Sequence, residues 1–340
     1  MSNKVKQLAP IIWSEIQKAN SILLHCHPSP DGDSIGGVLA MMHVLKSLDK
    51  KVTVIAGDSE KPSSFSVLPG FDEIIAKNLT QTNLSEFDLF IIQDSSSLGQ
   101  ITKLAETKFP ESLRTIVIDH HATNTEFANI NLVDSTYPAV CQMIYDLFQE
   151  WKVEISPEAA VSLFVGIYSD TGGFKYQNTD ANTLLAAAHL AKINPDFPKI
   201  IFELENNYEP EQIKFIGLCL THIETYFFNR VAIAAVPYSV LQENSIRKEH
   251  TEKAEISNML KSVKDWEIGI RFTEAEPGIV TLSFRTRNPD KHDVGKLAMA
   301  TGFGGGHKSA SGATFKMPFE QARKHLLETI QKVYPDLGQP

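Results

Sequence analysis

The chain has 340 residues, 42% of them hydrophobic, and a formal net charge of −9 with a pI near 5.7. This length favours two ordinary domains over one enlarged domain, and the acidic balance argues against a general binder of long nucleic acids. The three cysteines lie far apart and include no CxxC pair, which argues against a zinc finger and predicts a reducing compartment.

The first 20 residues predict an amphipathic helix rather than a targeting segment. Charged side chains interrupt Met1–Asn20, and its apolar residues from Val5 to Ala19 keep helical spacing. No apolar run approaches the ~20 residues that span a bilayer. We therefore expect a soluble, cytoplasmic protein without a membrane partner.

The next part of the chain alternates strands and helices, as is typical of an α/β domain. The predicted strands are Ser21–His27, Lys51–Ala56, Phe87–Asp94 and Arg114–Asp119. One predicted helix begins near Ser34, and three others cover Leu98–Phe109, Ala139–Trp151 and Pro157–Tyr168. The opening strand–helix–strand unit predicts a parallel sheet with helices on both faces.

The second half predicts a helical connector followed by a smaller α/β domain. From Thr179 to about Thr225 the pattern is helical, with prolines marking breaks. The later predicted strands are Arg230–Val236, Trp266–Phe272 and Ile279–Phe284, and the later helices are Lys253–Val263, Val294–Gly302 and one that begins at Phe319. The expected domains are residues 1–193, 194–226 and 227–340.

Three of the predicted strands run directly into acids or imidazoles. The residues at or just beyond these strand ends are His27, Asp31, Asp33, Asp94, Asp119 and His120. If the crossovers are right-handed and the sheet is parallel, these ends share one edge, and the side chains gather there. Asp170 closes an apolar helix, where the helix dipole disfavours an anion unless a cation is near. A solvated loop acid remains the alternative for Asp170 alone.

Such a set predicts a metal site. The set contains two imidazoles and four carboxylates, and four carboxylates repel one another too strongly to gather without cations. Mixed nitrogen and oxygen ligands suit Mn²⁺, whereas Mg²⁺ and Ca²⁺ prefer oxygen alone. Bridging carboxylates would let two ions lie about 3.5–4 Å apart, an arrangement that hydrolyses phosphate esters. Cys26 should face the core instead, because side chains alternate along a strand.

These motifs resemble those of the DHH phosphoesterase superfamily. Its four ordered motifs are similar to His27–Asp33, Asp94, Asp119-His120-His121 and Ser169-Asp170-Thr171, and Gly304–His307 with Arg285 resembles the DHH-associated domain of one branch. The resemblance covers nearly the whole chain. In size and motif order it is closest to the branch of NrnA-type oligoribonucleases and 3′-phosphoadenosine 5′-phosphate phosphatases.

The resemblance implies a role for each site residue. It assigns one metal ion to His27, Asp31, Asp94 and Asp170, and a second ion to Asp33, Asp94, His120 and Asp170, with Asp94 and Asp170 as bridges. His121 would contact the scissile phosphate, and Asp119 would support the imidazoles. The family histidine precedes the first motif aspartate by four residues, which matches His27; the nearby His25 is expected to be buried or to support the ligands.

In the second domain, the substrate-binding residues implied by the resemblance are Arg285, Gly304, Gly305, Gly306, His307 and Lys308. Glycine-rich backbone can offer its N–H groups to an anion, and a guanidinium fork fits a phosphate. A flexible loop with stray charges is the alternative. Arg287, Lys291, His292 and Lys296 could extend this basic surface, although solvated side chains are the stronger interpretation for most of them.

Together these features predict a metal-dependent phosphoesterase. It would hydrolyse very short RNA oligonucleotides to mononucleotides and remove the 3′-phosphate of 3′-phosphoadenosine 5′-phosphate. Two Mn²⁺ ions are expected, with Mg²⁺ or Co²⁺ as substitutes, and neither long nucleic acid nor a membrane as partner; a homodimer stays open. The alternatives are a phosphodiesterase for linear or cyclic dinucleotides, an exopolyphosphatase, a pyrophosphatase, or a non-catalytic nucleotide-binding module.

Overall fold

A computed structural model describes residues 1–251 and 255–339. The chain divides into two compact units, residues 1–207 and 208–340. The division falls inside the segment expected as a connector. The separate connector 194–226 therefore stays a prediction.

The first unit is built around a parallel sheet. Its strands are β1 (Ser21–His25), β2 (Lys51–Ile55), β3 (Leu89–Gln93), β4 (Arg114–Asp119) and β5 (Ile130–Val133), and its helices are α1 (Asn3–Lys18), α2 (Gly32–Ser47), α3 (Val140–Trp151), α4 (Pro157–Asp170), α5 (Ala181–Ile193) and α6 (Phe197–Glu205). All strand pairs are parallel, in the order β2-β1-β3-β4-β5. The predicted α/β class with an N-terminal parallel sheet is confirmed.

The two faces of this sheet are covered by different elements. Side chains alternate along β1, so that Ile22 and Leu24 join the core beneath helices α1 to α4, whereas Leu23 joins a second cluster on the opposite face. Short 3₁₀ segments cover that second face, among them Leu79–Gln81, Leu84–Glu86 and Leu98–Gln100. The long α-helices therefore lie on the face that carries the larger core.

One predicted helix in this unit is wrong. Leu98–Phe109 was expected to be helical, but regular structure there is limited to the 3₁₀ turn Leu98–Gln100. The Asp58 carboxylate accepts hydrogen bonds from Thr102 Oγ1 (2.8 Å) and from the backbone N–H of Lys103 (2.6 Å). Because that backbone group bonds to a distant side chain, the segment follows the sheet surface instead of continuing as a helix.

The second unit contains a mixed sheet with helices. Its elements are α7 (Pro210–Thr221), β6 (Ile223–Tyr226), β7 (Val231–Val236), α8 (Tyr238–Glu243), α9 (Ile256–Ser262), β8 (Ile268–Glu276), β9 (Ile279–Thr286), α10 (Val294–Ala300), β10 (Gly304–Gly306), β11 (Ala310–Lys316) and α11 (Phe319–Val333). The strand order is β10-β11-β9-β8-β7-β6. This agrees with the predicted second α/β region. Residues 253 and 254 of the predicted helix Lys253–Val263 lie outside the described residues.

Among the described residues, no helix combines the length and the apolar character that crossing a membrane requires.

Candidate metal centre

The centre of the candidate site is the carboxyl edge of three adjacent strands, β1, β3 and β4. His27 lies two residues beyond β1, Asp94 directly follows β3, and Asp119 is the last residue of β4. Neighbouring parallel strands end at the same edge, so these side chains meet although they are far apart in sequence.

Three clusters of potential ligand atoms lie at this edge, and within each cluster the atoms are no more than 4.8 Å apart. They consist of His27, Asp31 and Asp94; of Asp94, His120 and His121; and of Asp33, His120 and Asp170. Asp94 and His120 each belong to two clusters. The structure therefore brings together all seven of these residues that the sequence singled out in the first domain.

Asp94 lies at the middle of this group. Its carboxylate is 3.2 Å from His27 Nε2 and 3.6 Å from His120 Nε2. Asp94 adopts a left-handed backbone conformation (φ 51°), which costs free energy in a residue other than glycine. Its buried Oδ1 has no hydrogen-bond donor among the described residues. A buried acceptor without a donor is suited to a cation.

The histidines present the correct nitrogen for metal binding. His27 Nδ1 lies 3.0 Å from the carbonyl oxygen of Pro28, and His120 Nδ1 lies 3.2 Å from that of Tyr137. A carbonyl can only accept a hydrogen bond, so each Nδ1 carries a proton and Nε2 is directed at the carboxylates. Although burial opposes a charge on His27, hydrogen bonds to Asp31 and Asp94 raise its pKa to about 11.

Asp33 has a structural role in addition to its place in the cluster. Its carboxylate accepts the backbone N–H groups of Val140 (2.5 Å) and Cys141 (2.8 Å), at the start of α3. The N-cap residue of that helix, Ala139, supplies no side-chain hydrogen bond. Asp33 therefore caps α3 from another helix. Burial, and then the charge of Asp94, raise the pKa of Asp33 to about 7.

Asp170 completes the group from the C-terminal end of α4. Its Oδ2 lies 3.5 Å from His120 Nε2. Burial, and then the charges of Asp33, Asp31 and Asp94, raise the pKa of Asp170 well above its usual range. Carboxylates that resist ionisation in this way would be stabilised in their charged form by a divalent cation. The donor set thus fits one or more such ions.

Asp119 and His121 form a hydrogen-bonded pair beside the cluster. His121 Nδ1 lies 2.7 Å from Asp119 Oδ1, and Asp119 is fully buried. Burial alone would raise the pKa of Asp119, but its bonds to His121 and Asn124 lower it overall. Sequence reasoning missed Asn124 and the Tyr137 carbonyl, because asparagine is common in turns and a backbone carbonyl leaves no mark in the sequence.

His25 belongs to none of these clusters. It is fully buried, with its ring edge against Phe90 at a centroid distance of 5.4 Å. Burial, and then the charge of His27, lower the pKa of His25 to about 4. His25 is therefore a neutral side chain within the fold.

Another acidic group lies in the second unit and comprises Glu209, Glu211 and His250. His250 Nδ1 accepts the backbone N–H of Arg247 (3.1 Å), whereas Nδ1 of His27 and of His120 faces a carbonyl oxygen. His250 Nε2 lies 3.3 Å from Nη2 of Arg247 and 3.4 Å from Glu209. Because the guanidinium is a cation and only donates, Arg247 occupies the place at Nε2 where a metal ion would bind.

The glycine stretch of the second unit is a strand, and not the flexible loop that was considered as an alternative. Gly304–Gly306 form the edge strand β10, paired with β11. A Cβ atom at Gly304 would lie 2.2 Å from the carbonyl oxygen of Gly312, so the close pairing excludes other residues. His307 and Lys308 are exposed in the turn between the two strands. In the register of β9 with β11, Arg285 lies opposite Ala310, directly after this turn.

Two residues considered for the basic surface have structural roles. Arg287 Nη1 donates to the carbonyl of Val263 (2.8 Å), just past the end of α9. His292 is fully buried, with Nε2 3.1 Å from Asp336. Of the four residues considered for the basic surface, His292 is therefore neither solvated nor part of that surface, because its ring packs edge-on against Tyr334 at a centroid distance of 5.2 Å.

Comparisons with known proteins agree with this geometry. Residues 21–167 match the model of the DHH family, N-terminal domain. The chain is 27% identical over 322 residues to the bifunctional oligoribonuclease and PAP phosphatase NrnA of Thermus thermophilus, covering 94% of this chain and 92% of the relative. It is 26% identical over 323 residues to the protein of the same name from Bacillus subtilis, covering 92% and 95%. An exopolyphosphatase-related protein from Bacteroides fragilis shares the fold, with a TM-score of 0.88, 24% identity and 98% coverage of both chains. The resemblance to the DHH superfamily inferred from the sequence is confirmed.

Proposed function

We propose that the protein is a divalent-metal-dependent phosphoesterase that acts on very short RNA and on 3′-phosphoadenosine 5′-phosphate. The match of residues 21–167 to the DHH family, N-terminal domain, supports the class of enzyme. The observation that carries this proposal is the gathering of seven ligand-type residues in three clusters that share Asp94 and His120. The names of relatives that cover most of the chain support the substrates.

We assign two ions to the site. The first would be held by His27, Asp31, Asp94 and Asp170, and the second by Asp33, Asp94, His120 and Asp170. Two of the observed clusters support this division, because His27 and Asp31 meet at Asp94, whereas Asp33 and His120 meet at Asp170. Mn²⁺ suits the mixed nitrogen and oxygen donors, with Mg²⁺ or Co²⁺ as substitutes.

When bound, such ions lower the pKa of water toward neutrality and neutralise charge on phosphoryl oxygens. Asp94 and Asp170 would contact both ions. Asp33 would contact one ion, and its carboxylate also accepts two backbone N–H groups at the start of α3. His121 donates from Nδ1 to Asp119, and although burial opposes a charge, this hydrogen bond raises the pKa of His121. The imidazolium form would donate from Nε2 to the scissile phosphate.

The second unit would contribute side chains that bind a substrate phosphate. Arg285 on β9 lies opposite Ala310 of β11, directly after the turn that carries the exposed His307 and Lys308, and these three side chains would contact the phosphate. Short substrates carry few phosphates, so the net charge of −9 does not prevent their binding.

The experiment is a parallel substrate panel with purified protein and Mn²⁺. It comprises a diribonucleotide, a 24-mer RNA, 3′-phosphoadenosine 5′-phosphate, pyrophosphate and polyphosphate, with Asp94→Asn as the matched inactive control. We expect rapid, Mn²⁺-dependent turnover of the dinucleotide and of 3′-phosphoadenosine 5′-phosphate. Preferred hydrolysis of pyrophosphate or polyphosphate would replace the proposed substrates by another phosphohydrolase activity, and turnover in excess EDTA would contradict the metal assignment.

A further inference from the structure

Asn124 connects two loops of the metal centre through its side chain. Its Nδ2 donates to Asp119 Oδ2 at 2.6 Å and to the carbonyl oxygen of Ser95 at 3.2 Å. Its Oδ1 accepts the backbone N–H of Glu126 at 2.6 Å, and its own N–H donates to the carbonyl of His121 at 3.1 Å. Both ends of the amide are therefore used, which fixes its orientation.

The contact with Asp119 determines how His121 is held. Asp119 is fully buried, and its two oxygens have separate partners: Oδ1 meets His121 Nδ1 at 2.7 Å, and Oδ2 accepts from Asn124. A carboxylate held at one oxygen can still rotate, whereas one held at both cannot. Asn124 therefore restricts the plane of Asp119 and, through it, the imidazole of His121.

The contact with Ser95 extends this restraint to the loop after β3. Ser95 follows Asp94, whose left-handed backbone must be held by its surroundings. The neighbouring residue Thr125 adds a bond from its N–H to the carbonyl of Ser96 at 2.9 Å. The turn after His121 is thus tied to the loop that carries Asp94, so one asparagine acts on both sides of the site.

We propose that Asn124 is a positioning residue that holds Asp119 so that Nε2 of His121 faces the substrate phosphate. This inference rests on the proposed phosphoesterase function and adds to it a residue outside the proposed ligand set. In this role Asn124 would act through its hydrogen bond to Asp119 and, through Asp119, on His121.

A double-mutant cycle on kcat/KM for the dinucleotide tests this. Asn124→Ala should lower kcat/KM about 10- to 100-fold, as is usual when a group that orients an active imidazole is lost. In a His121→Ala background the same substitution should cost less than about threefold, because the imidazole it positions is gone. Equal factors in both backgrounds would overturn the proposal.

Two further variants separate positioning from folding. Asn124→Asp keeps the shape and the acceptor but loses the donor to Asp119, so it should be as defective as Asn124→Ala. Asn131→Ala is the matched control, because Asn131 closes a nearby loop by bonding both backbone groups of Ala128 (3.0 and 2.8 Å). It should retain activity. Bound Mn²⁺, measured by elemental analysis, should be unchanged in all three; loss of activity in Asn131→Ala or loss of metal in Asn124→Ala would contradict positioning.

A proton NMR measurement on His121 tests the same proposal without relying on turnover. In the metal-free protein, the Nδ1–H of His121 bonded to Asp119 should give a downfield imidazole proton resonance. We expect this resonance to be lost by exchange in Asn124→Ala and retained in Asn131→Ala. An unaltered resonance in Asn124→Ala would overturn the proposal even if the substrate panel failed, whereas an inactive wild-type protein with the expected spectra would overturn only the proposed function.

Discussion

Asp33→Ala should destabilise the metal-free protein, whereas Asp170→Ala should not, although both residues are proposed metal ligands. Asp33→Ala removes the acceptor for two backbone N–H groups at the start of α3, which has no other side-chain cap. Each buried donor left without a partner costs about 1–3 kcal/mol, so loss of the acceptor for both should lower the unfolding free energy by about 2–6 kcal/mol. At ~2–4 °C per kcal/mol for a unit of this size, the melting temperature should fall by roughly 4–24 °C.

Asp170→Ala should leave the metal-free protein as stable as wild type, or more stable. The Asp170 carboxylate accepts no backbone N–H among the described residues, and burial beside Asp33, Asp31 and Asp94 disfavours its charge. It also ends α4, where the helix dipole opposes an anion. Removing it relieves these costs.

Calorimetry of wild type, Asp33→Ala and Asp170→Ala in EDTA at neutral pH, repeated with excess Mn²⁺, measures both effects. Wild type should gain the most stability from Mn²⁺, and both variants should gain less. If Asp33→Ala had the same melting temperature as wild type in EDTA, the proposed effect of Asp33 on the stability of α3 would be refuted. If Asp170→Ala responded to Mn²⁺ as fully as wild type, Asp170 would not be a ligand.

Three further predictions concern pH, substrate binding and substrate length. Because the folded-state pKa of Asp33 is raised from 3.8 to about 7, the folded metal-free protein binds more protons than the unfolded chain between these values. Its unfolding free energy should therefore fall as pH rises from about 4 to about 7, and denaturant titrations of Asp33→Asn should show a weaker fall. Arg285→Ala and His307→Ala should each lower kcat/KM about 10- to 150-fold, since a charged hydrogen bond to phosphate contributes ~1.5–3 kcal/mol. The content of bound metal should not change, and loss of metal would contradict the assignment of these two residues to substrate binding alone. In single-turnover assays, RNAs of two to five nucleotides should be cleaved much faster than a 24-mer, with mononucleotides released one at a time and weak salt dependence; equal rates would refute the length argument.

The gathering of the site could be predicted from sequence because a parallel sheet imposes it. His27, Asp94 and Asp119 lie at or just beyond the ends of apolar strands, and these ends meet at one edge of a parallel sheet whatever the lengths of the loops between them. The burial of Cys26 followed from alternation along the same strand and is confirmed.

What the sequence could not provide are contacts that depend on tertiary packing. The bond of Asp33 to the start of α3 joins residues more than 100 positions apart. Leu98–Phe109 has helical spacing, but Asp58, 44 residues before Thr102, holds it in another path. Gly304–Gly306 carry no side chains, so the alternation that would indicate a strand is absent, and their pairing with β11 appears only in the structure.

The assignment of two ions around Asp94 and Asp170 is tested most directly by crystallography with Mn²⁺, using anomalous scattering at the manganese edge. We predict two anomalous peaks about 3.5–4 Å apart. One should contact His27 and Asp31, the other Asp33 and His120, and both should contact Asp94 and Asp170. A single peak, or peaks that the carboxylates of Asp94 and Asp170 do not bridge, would contradict the two-ion assignment.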